Sequence, residues 1–378
     1  MLGKLEDAFF SLIRFGIGTE TLDDKIAEQF LPLSMTQWRK AISLADKQGV
    51  SAIAIDGMQR LYDIYGMKLK AVCETPTEWT QWVFECVGTM TQYEQMSQAQ
   101  RKVISELSEI WGKNGIRLMV FKGQANASFY PVPGHRATGD IDCWLFGDAE
   151  KGDDVLKGKG AVVDNRWYRH SKISYKGETI ENHRVMSHTR GSRKKKEMEE
   201  ELRSMVHGEG LMVIDGCGKA LMPSTQFNAC FLTYHGLHHF LSEGLRMKQV
   251  LDWAMFLKTE QDKVDWEAYN EFCMRYKLDR FAAVMNYIAG HYLNINLDVN
   301  LNENDNEKVR ELAGKVIKST LYDDDYLFNS GKSDWVVRWM LVKNMLKRDR
   351  WKYRYIAQES VCKHLWENFR GFVSKEEE

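Results

Sequence analysis

The chain has 378 residues, of which 44% are hydrophobic and 12% aromatic, and its formal net charge is −1. This length exceeds one ordinary domain and the composition supports a large core, so we expect two or three packed units. The near-zero charge excludes the general basic surplus that is typical of a nucleic-acid-binding protein. The seven cysteines form no Cys-x-x-Cys motif, which argues against a zinc ribbon or a disulfide framework and favours a reducing cytosol.

The first residues do not have the pattern of a signal peptide, and no apolar run reaches the ~18 residues that a membrane span requires. We therefore expect a cytoplasmic protein without a membrane partner. The first hundred residues have the apolar spacing of helices, with Ser34 as an N-cap before Trp38 and Ile42. Thr75-Pro76-Thr77-Glu78 predicts a further helix start, and another helix ends at Asn114-Gly115. The tryptophans of these helices are predicted to lie in the core.

A short apolar segment, Ile116–Phe121, predicts a strand, and Lys122-Gly123 predicts the turn that follows it. A glycine at this place permits a phosphate to approach backbone N–H groups closely. Lys122 is a candidate point charge for a phosphate, or else a partner for a nearby carboxylate.

Two carboxylates, Asp140 and Asp142, lead directly into the apolar run Cys143–Phe146, which is too short for a helix and predicts a buried strand. Side chains two apart on a strand share a face and lie roughly 6.5–7 Å apart. Carboxylates placed in this way can share a pair of divalent cations. Because unpaired buried charge is costly, a metal, an ion pair with Arg136 or Lys122, or protonation is expected to compensate them.

The segments 167–175 and 178–183 flank Lys176-Gly177 in the pattern of a hairpin. If the second strand lies beside the strand of Asp142, Glu181 is the best candidate for a third carboxylate. It could bind the metal that activates an acceptor hydroxyl, or accept the proton of that hydroxyl. The alternative is a half-buried edge strand with a solvated Glu181.

Together these motifs resemble the nucleotidyltransferase superfamily with its polymerase-beta-like fold, and more narrowly the bacterial "uncharacterised nucleotidyltransferase" families. The resemblance is carried by Lys122-Gly123, Tyr130-Pro131, Arg136, Gly139-Asp140-Ile141-Asp142, and the acid and histidine at Glu181 and His183. It implies metal-dependent transfer of a nucleoside monophosphate from a nucleoside triphosphate such as ATP to an unidentified acceptor hydroxyl.

The resemblance also implies which residues act. As catalytic residues and metal ligands it implies Asp140, Asp142 and Glu181, with two Mg²⁺ ions, or Mn²⁺ as an alternative. As nucleotide- and phosphate-binding residues it implies Lys122, Gly123, Arg136 and His183. The sequence departs from the superfamily at Gly123-Gln124, where Gly-Ser or Gly-Gly is usual, so a hydroxyl that often touches a phosphate is missing.

The remaining charged and histidine-rich segments have two interpretations each. The charge block 190–203 is predicted to be a solvated helix face rather than an acceptor site. His235 and His239 have the zinc-protease spacing, but Gly236 replaces the required glutamate, so these histidines and His238 are expected to line the pocket or the core. In Lys343–Tyr355, cations interleave with aromatics, which favours packing of snorkelling side chains over single-stranded RNA binding.

We therefore predict an α+β fold in which a small mixed sheet forms a catalytic domain, residues 101–215. It is flanked by an N-terminal helical region, residues 1–100, and a C-terminal helical domain, residues 216–378. The expected partners are a nucleoside triphosphate and an acceptor, with a small molecule or a protein favoured over RNA. The alternatives are a degenerate member that binds nucleotide without turnover, a protein-interaction member of the fold, and a polymerase-like enzyme that acts on RNA ends.

Overall fold

A computed structural model describes residues 3–20, 33–70, 76–189, 192–206, 210–298, 306–322 and 334–373. Within these residues helices predominate and surround one sheet. The α-helices are α1 (Lys4–Ile17), α2 (Met35–Lys47), α3 (Ser51–Lys70), α4 (Pro76–Gly112), α5 (Gln124–Ala127), α6 (Ala149–Lys157), α7 (Arg193–Val206), α8 (Thr225–Ser242), α9 (Met247–Glu260), α10 (Trp266–Tyr276), α11 (Asp279–Leu293), α12 (Glu307–Tyr322), α13 (Asp334–Lys347) and α14 (Val361–Val373). The strands are β1 (Met119–Val120), β2 (Ile141–Trp144), β3 (Val162–Asp164), β4 (His170–Tyr175), β5 (Glu178–His183), β6 (Met212–Val213) and β7 (Leu221–Met222).

The strands form a seven-stranded mixed sheet in the order β3-β4-β5-β2-β1-β7-β6. Strand β2 pairs with β5 in parallel and with β1 in antiparallel orientation, so its side chains lie near the middle of the sheet. Strands β4 and β5 form the predicted hairpin, and both turn residues, Lys176 and Gly177, have positive φ, as a two-residue type I′ turn requires. This sheet with its helical flanks confirms the predicted α+β class.

One contiguous core joins the sheet to the helices on both sides. It includes Phe9 from α1, Trp111 from α4, Phe121 after β1, and Phe281 from α11. Helix α4 continues through the predicted boundary at residue 100, and β7 lies beyond the predicted end of the sheet domain at residue 215. The division into three ranges stays a prediction.

The local signals of the N-terminal helices have mixed outcomes. The predicted cap is confirmed, because Ser34 forms a capping box with Gln37 at the start of α2. Of the predicted strand 116–121, only β1 joins the sheet. A single helix, α4, replaces the two that the sequence predicted between Pro76 and Gly115. The predicted cap Thr75 lies outside the described residues.

Further expectations concern the helical regions, the cysteines and membrane-spanning helices. Packing is confirmed for Lys352 and Tyr353, since both are buried and the Tyr353 hydroxyl donates to the Leu241 carbonyl. The prediction that the charge block of α7 forms a solvated face is wrong at Glu199, which is buried and accepts hydrogen bonds from the backbone N–H groups of Met186 and Ser187. The six cysteines in the described part of the chain are unpaired. Across the described ranges, no helix combines the length and apolarity needed to cross a bilayer.

Candidate active site

Three neighbouring strands place acidic and histidine side chains on one face of the sheet. Asp142 on β2 is opposite Glu181 on β5, and His183 on β5 is opposite His170 on β4. Because side chains alternate along a strand, Glu181 and His183 point to the same side, and their cross-strand partners point there with them. Nε2 of His183 lies 3.0 Å from Asp142 Oδ1 and 3.5 Å from Glu181 Oε2. Nε2 of His170 lies 3.5 Å from Glu181 Oε1.

Asp142 is buried, with 7% of its surface exposed, and it has a cationic partner. The Lys122 ammonium, just after β1, lies 2.5 Å from Asp142 Oδ1. Burial alone would raise the pKa of Asp142, but Lys122 and the hydrogen bond from His183 hold this pKa well below its ordinary value. Of the two ion-pair partners that the sequence left open, Lys122 is the one in contact.

Asp140 differs from Asp142 in its surroundings. It precedes β2 and is exposed, so the prediction that a buried strand carries both carboxylates is wrong for Asp140. Its pKa is nevertheless raised, by partial desolvation first and then by the negative charges of Glu181 and Asp142. Burial also opposes ionisation of Glu181, but the hydrogen bond with His183 lowers the pKa of Glu181 below its ordinary value.

The turn after β1 depends on its glycine. Gly123 has φ 57° and ψ −115°, a conformation in which L side chains are strained. The following Gln124 is buried and fixes the turn to α4, because its amide nitrogen donates to the Gln100 side chain and its oxygen accepts from Arg101. Gln100 in turn donates to the carbonyl of Gly139, just before Asp140. Gln124, which replaces the usual serine, is therefore part of a hydrogen-bond network that connects the Gly123 turn to the segment before Asp140.

Arg136, in the segment that precedes β2, forms a buried ion pair with Asp252 of α9. Its Nε and Nη2 donate to Oδ1 and Oδ2 of Asp252 at 2.8 and 2.7 Å. The same carboxylate accepts from the Tyr130 hydroxyl at 2.8 Å and from Asn126 Nδ2 at 3.1 Å. Both Arg136 and Tyr130 belong to the motif residues of the resemblance, and here both bind Asp252.

These groups line a cavity of about 500 Å³, within the usual size range of small-molecule sites. The lining residues are Lys122, Gly123, Asn126, Arg136, Gly139, Asp140, Asp142, Arg169, His170, Glu181, Leu232, His235, Gly236, His238, His239, Glu243, Lys248, Gln249 and Asp252. Every predicted site residue except His183 is among them, and His183 contacts Asp142 and Glu181.

The lining residues that sequence reasoning missed include Arg169, His170 and Lys248. His170 could have been found, because a two-residue turn at Lys176-Gly177 fixes the register that places it opposite His183. Lys248 is in the first turn of α9, and no local signal distinguishes it. Burial first, and then the charge of Arg136, lower the pKa of Lys248 to about 8.

Histidines of α8 form the wall opposite the sheet, as one of the two sequence interpretations expected. His239 Nε2 lies 3.1 Å from His235 Nε2, and His238 Nε2 lies 3.0 Å from His188 Nε2. Burial lowers the pKa of His238 to about 2 and that of His188 to about 3, so both rings are neutral at neutral pH.

A family model described as uncharacterised nucleotidyltransferase matches residues 34–294. The chain belongs to this family. The match includes the whole sheet, the turn at Gly123 and the cavity-lining parts of α8 and α9, and it confirms the family expected from the sequence motifs. No curated protein and no solved structure matches the chain.

Proposed function

We propose that the cavity transfers a nucleoside monophosphate from a nucleoside triphosphate to an acceptor hydroxyl. The observation that carries this proposal is the charge arrangement of the cavity, in which Asp140, Asp142 and Glu181 share one space with the cations Lys122 and Lys248. Cations suit the triphosphate, and grouped carboxylates suit the divalent ions that accompany it. Membership of a nucleotidyltransferase family supports the same reaction class.

The residues present fit the two Mg²⁺ ions that such a reaction implies. Carboxylate oxygens are the ligands that Mg²⁺ prefers, and Asp142 and Glu181 project from directly paired positions of adjacent parallel strands. Asp140 adds a third carboxylate at the same cavity. When bound, the ions would neutralise phosphate charge and favour deprotonation of the acceptor hydroxyl.

The chain's own cations would position the triphosphate. Lys122 is held by Asp142 and lies next to Gly123, so it can turn from the carboxylate to a phosphate. The Lys248 ammonium forms no ion pair with a carboxylate of the described residues, which leaves it available for an anionic ligand. Arg136 would contribute positive charge at the cavity wall while it remains paired with Asp252. His183 would orient Asp142 and Glu181, whose oxygens it contacts.

In the reaction, the acceptor oxygen forms a bond to the α-phosphorus, and the bond from that phosphorus to the α–β bridging oxygen breaks. Pyrophosphate leaves with the electron pair of the broken bond. The hydroxyl proton passes to the carboxylate of Glu181, which is ionised at neutral pH because its pKa stays below the ordinary value despite burial and so far below pH 7. Positioning and charge neutralisation supply most of the acceleration in transfers of this kind.

The test is label transfer from each of the four ribonucleoside triphosphates, labelled at the α-phosphate, to fractionated small molecules, proteins and RNA. Asp142→Asn should abolish the transfer while the fold is retained. Asp164→Asn is the matched control, because Asp164 lies on the edge strand β3 and pairs only locally with Arg166 among the described contacts. Transfer by Asp142→Asn at the wild-type rate would overturn the proposal.

Binding without turnover is the second candidate function. It is favoured by Gln124, whose side chain is committed to contacts with α4 where the superfamily usually has a phosphate-binding serine. Thermal unfolding with each triphosphate and Mg²⁺ separates the two functions, because a ligand at 100 times its Kd stabilises by about 2.7 kcal/mol. Stabilisation that Asp140→Ala/Asp142→Ala abolishes, without label transfer to any fraction, would select this second function.

A further inference from the structure

The Glu181 side of the cavity contains more nitrogen donors than a magnesium site needs. Ligand atoms of His170, Glu181 and His183 all lie within 4.8 Å of one another. We propose that these three residues, with Asp142 beside them, form a site for a transition ion of the Zn²⁺ and Co²⁺ type, which it binds in preference to Mg²⁺. The catalytic use of this ion rests on the proposed function, but its binding does not.

The sheet holds the ligand atoms of the proposed site rigidly. The donors project from three hydrogen-bonded strands, His170 from β4, Glu181 and His183 from β5, and Asp142 from β2. The side chain of His183 is 1% exposed and its ring packs edge-on against Phe121. Donors on a sheet with packed rings keep their geometry without a bound ion, which reduces the ordering cost of binding.

The His183 ring is oriented toward the carboxylates. Its Nδ1 lies 3.2 Å from the carbonyl oxygen of Val185 and can only donate there, and its Nε2 faces Asp142 and Glu181. Nε2 is 3.0 Å from Asp142 Oδ1, where two lone pairs would repel unless a proton or a cation lies between them. A histidine with one nitrogen on a backbone carbonyl and the other toward carboxylates is the usual arrangement of a metal ligand.

His170 also directs one of its ring nitrogens at the proposed site. Its Nδ1 is buried without a hydrogen-bond partner in the described part of the chain, and its Nε2 faces Glu181. The polar contact of this ring is therefore directed to the proposed ion site.

The donor set determines which ion is preferred. Mg²⁺ takes oxygen ligands and retains waters, whereas imidazole suits Zn²⁺ and its neighbours in the transition series. Two histidines and one carboxylate with an open position are a known ligand set for zinc that binds a substrate or water. Asp140 lies outside this group, so it remains available to an oxygen-ligated ion beside the triphosphate.

Two histidine pairs in the same region are rival sites. His235 and His239 are four apart on α8 with their Nε2 atoms 3.1 Å apart, and His188 and His238 are similarly close. Neither pair is part of a group of three or more candidate ligands in the described residues. The experiment must therefore separate them from the proposed site.

The test titrates the full chain with Co²⁺, without nucleotide, and follows the visible absorption of the ion. One Co²⁺ should bind and Zn²⁺ should displace it, while Mg²⁺ in large excess should not. His170→Ala and Glu181→Gln should each weaken Co²⁺ binding by about 10–100-fold or more. His239→Ala is the matched control and should bind as the wild type does, with thermal unfolding of each variant to verify the fold.

Displacement of Co²⁺ by Mg²⁺ at comparable concentrations would overturn the inference. Binding that His239→Ala abolishes and His170→Ala retains would overturn it as well, because the ion would then occupy the helix pair. Binding of Co²⁺ by a protein that transfers no nucleotide would contradict the proposed function and leave this inference standing. Label transfer with Mg²⁺ by a protein that binds no Co²⁺ would support the proposed function and overturn this inference.

Discussion

Two charged clusters line the same cavity, and they differ in how completely their hydrogen bonds are satisfied. The Asp252 carboxylate accepts two bonds from Arg136 and one each from Tyr130 and Asn126. In the cluster of Asp140, Asp142 and Glu181, the latter two contact one lysine and two histidines, with separations up to 3.5 Å. The Asp252 carboxylate of the first cluster is fully hydrogen-bonded and connects the segment before β2 to α9. The carboxylates of the second cluster can still bind a cation.

Two residues of the same motif can therefore have different roles. Arg136 stabilises the cavity wall, whereas Asp140 belongs to the proposed metal-binding carboxylates. Arg136 is four residues from Asp140 in sequence, yet its guanidinium forms a bidentate pair with a carboxylate 116 residues further along. A bidentate buried pair is costly to break from one side, because the remaining charge loses its partner. Arg136 therefore holds the cavity wall in place, and any contact with phosphate is added to that role.

The largest expected effect is on stability. Asp252→Ala should lower the free energy of unfolding by about 3–5 kcal/mol, because it leaves the buried Arg136 without a counter-charge. Urea unfolding followed by circular dichroism measures it. The control Asp164→Ala removes an exposed ion pair and should change stability little. Equal losses in both variants would mean that the Arg136–Asp252 cluster is not structural.

The second effect is a loss of activity without a comparable loss of stability. Glu181→Gln should reduce kcat by about 10²–10³-fold, since it removes a group that acts on developing charge or on the hydroxyl proton. Its side chain is partly exposed to the cavity, so we expect a smaller change in unfolding free energy than for Asp252→Ala. A variant with normal kcat would remove Glu181 from the chemistry.

Local sequence patterns predicted those contacts of the two clusters whose residues lie close together in sequence. The turn at Lys176-Gly177 predicted the hairpin, and Glu181 was a candidate carboxylate on the condition that its strand lies beside that of Asp142, which it does. The exposure of Asp140 was not predictable from its apolar followers, because β2 begins where pairing with β1 and β5 begins. Whether a residue lies inside a strand depends on its partner strands as much as on its own sequence.

The helical half of the cavity could not be predicted in this way. Lys248 and Asp252 follow the Asp142 strand by more than a hundred residues, and only tertiary packing of α9 brings them to it. Helical periodicity indicates which face is buried but not which other element covers it. Arg136 was assigned to phosphate, or to an ion pair with Asp140 and Asp142, because no local pattern connects it to its partner Asp252.

The third effect concerns nucleotide affinity. Lys248→Met should weaken binding of the preferred triphosphate by roughly 10-fold or more, because a hydrogen bond to a charged group contributes about 1.5–3 kcal/mol. Calorimetric titration measures the Kd, and the exposed Lys151→Met serves as the control with equal charge loss. Equal weakening in both variants would indicate general electrostatic attraction rather than a contact of Lys248.

The smallest expected effect is the number of protons taken up when nucleotide binds. This number tests the role of Lys248 independently of the nucleotide affinity. In the free protein the pKa of Lys248 is lowered to about 8 by burial and by the charge of Arg136, with Arg246 and Lys122 adding to this and Asp252 opposing it. Between pH 8 and about 10.5 the unfolded chain holds a proton on this lysine that the folded chain has lost, so its contribution to stability rises with pH in that window.

A bound triphosphate should reverse this depression, because a nearby anion favours the charged ammonium. Nucleotide binding at pH 8.5 should then take up a fraction of a proton, and binding at pH 6.5 should take up less. Titration calorimetry in buffers of different ionisation enthalpy gives the count. Lys248→Met should lose the uptake at the higher pH, whereas an unchanged uptake in this variant would assign the proton to another group and leave Lys248 as part of the wall.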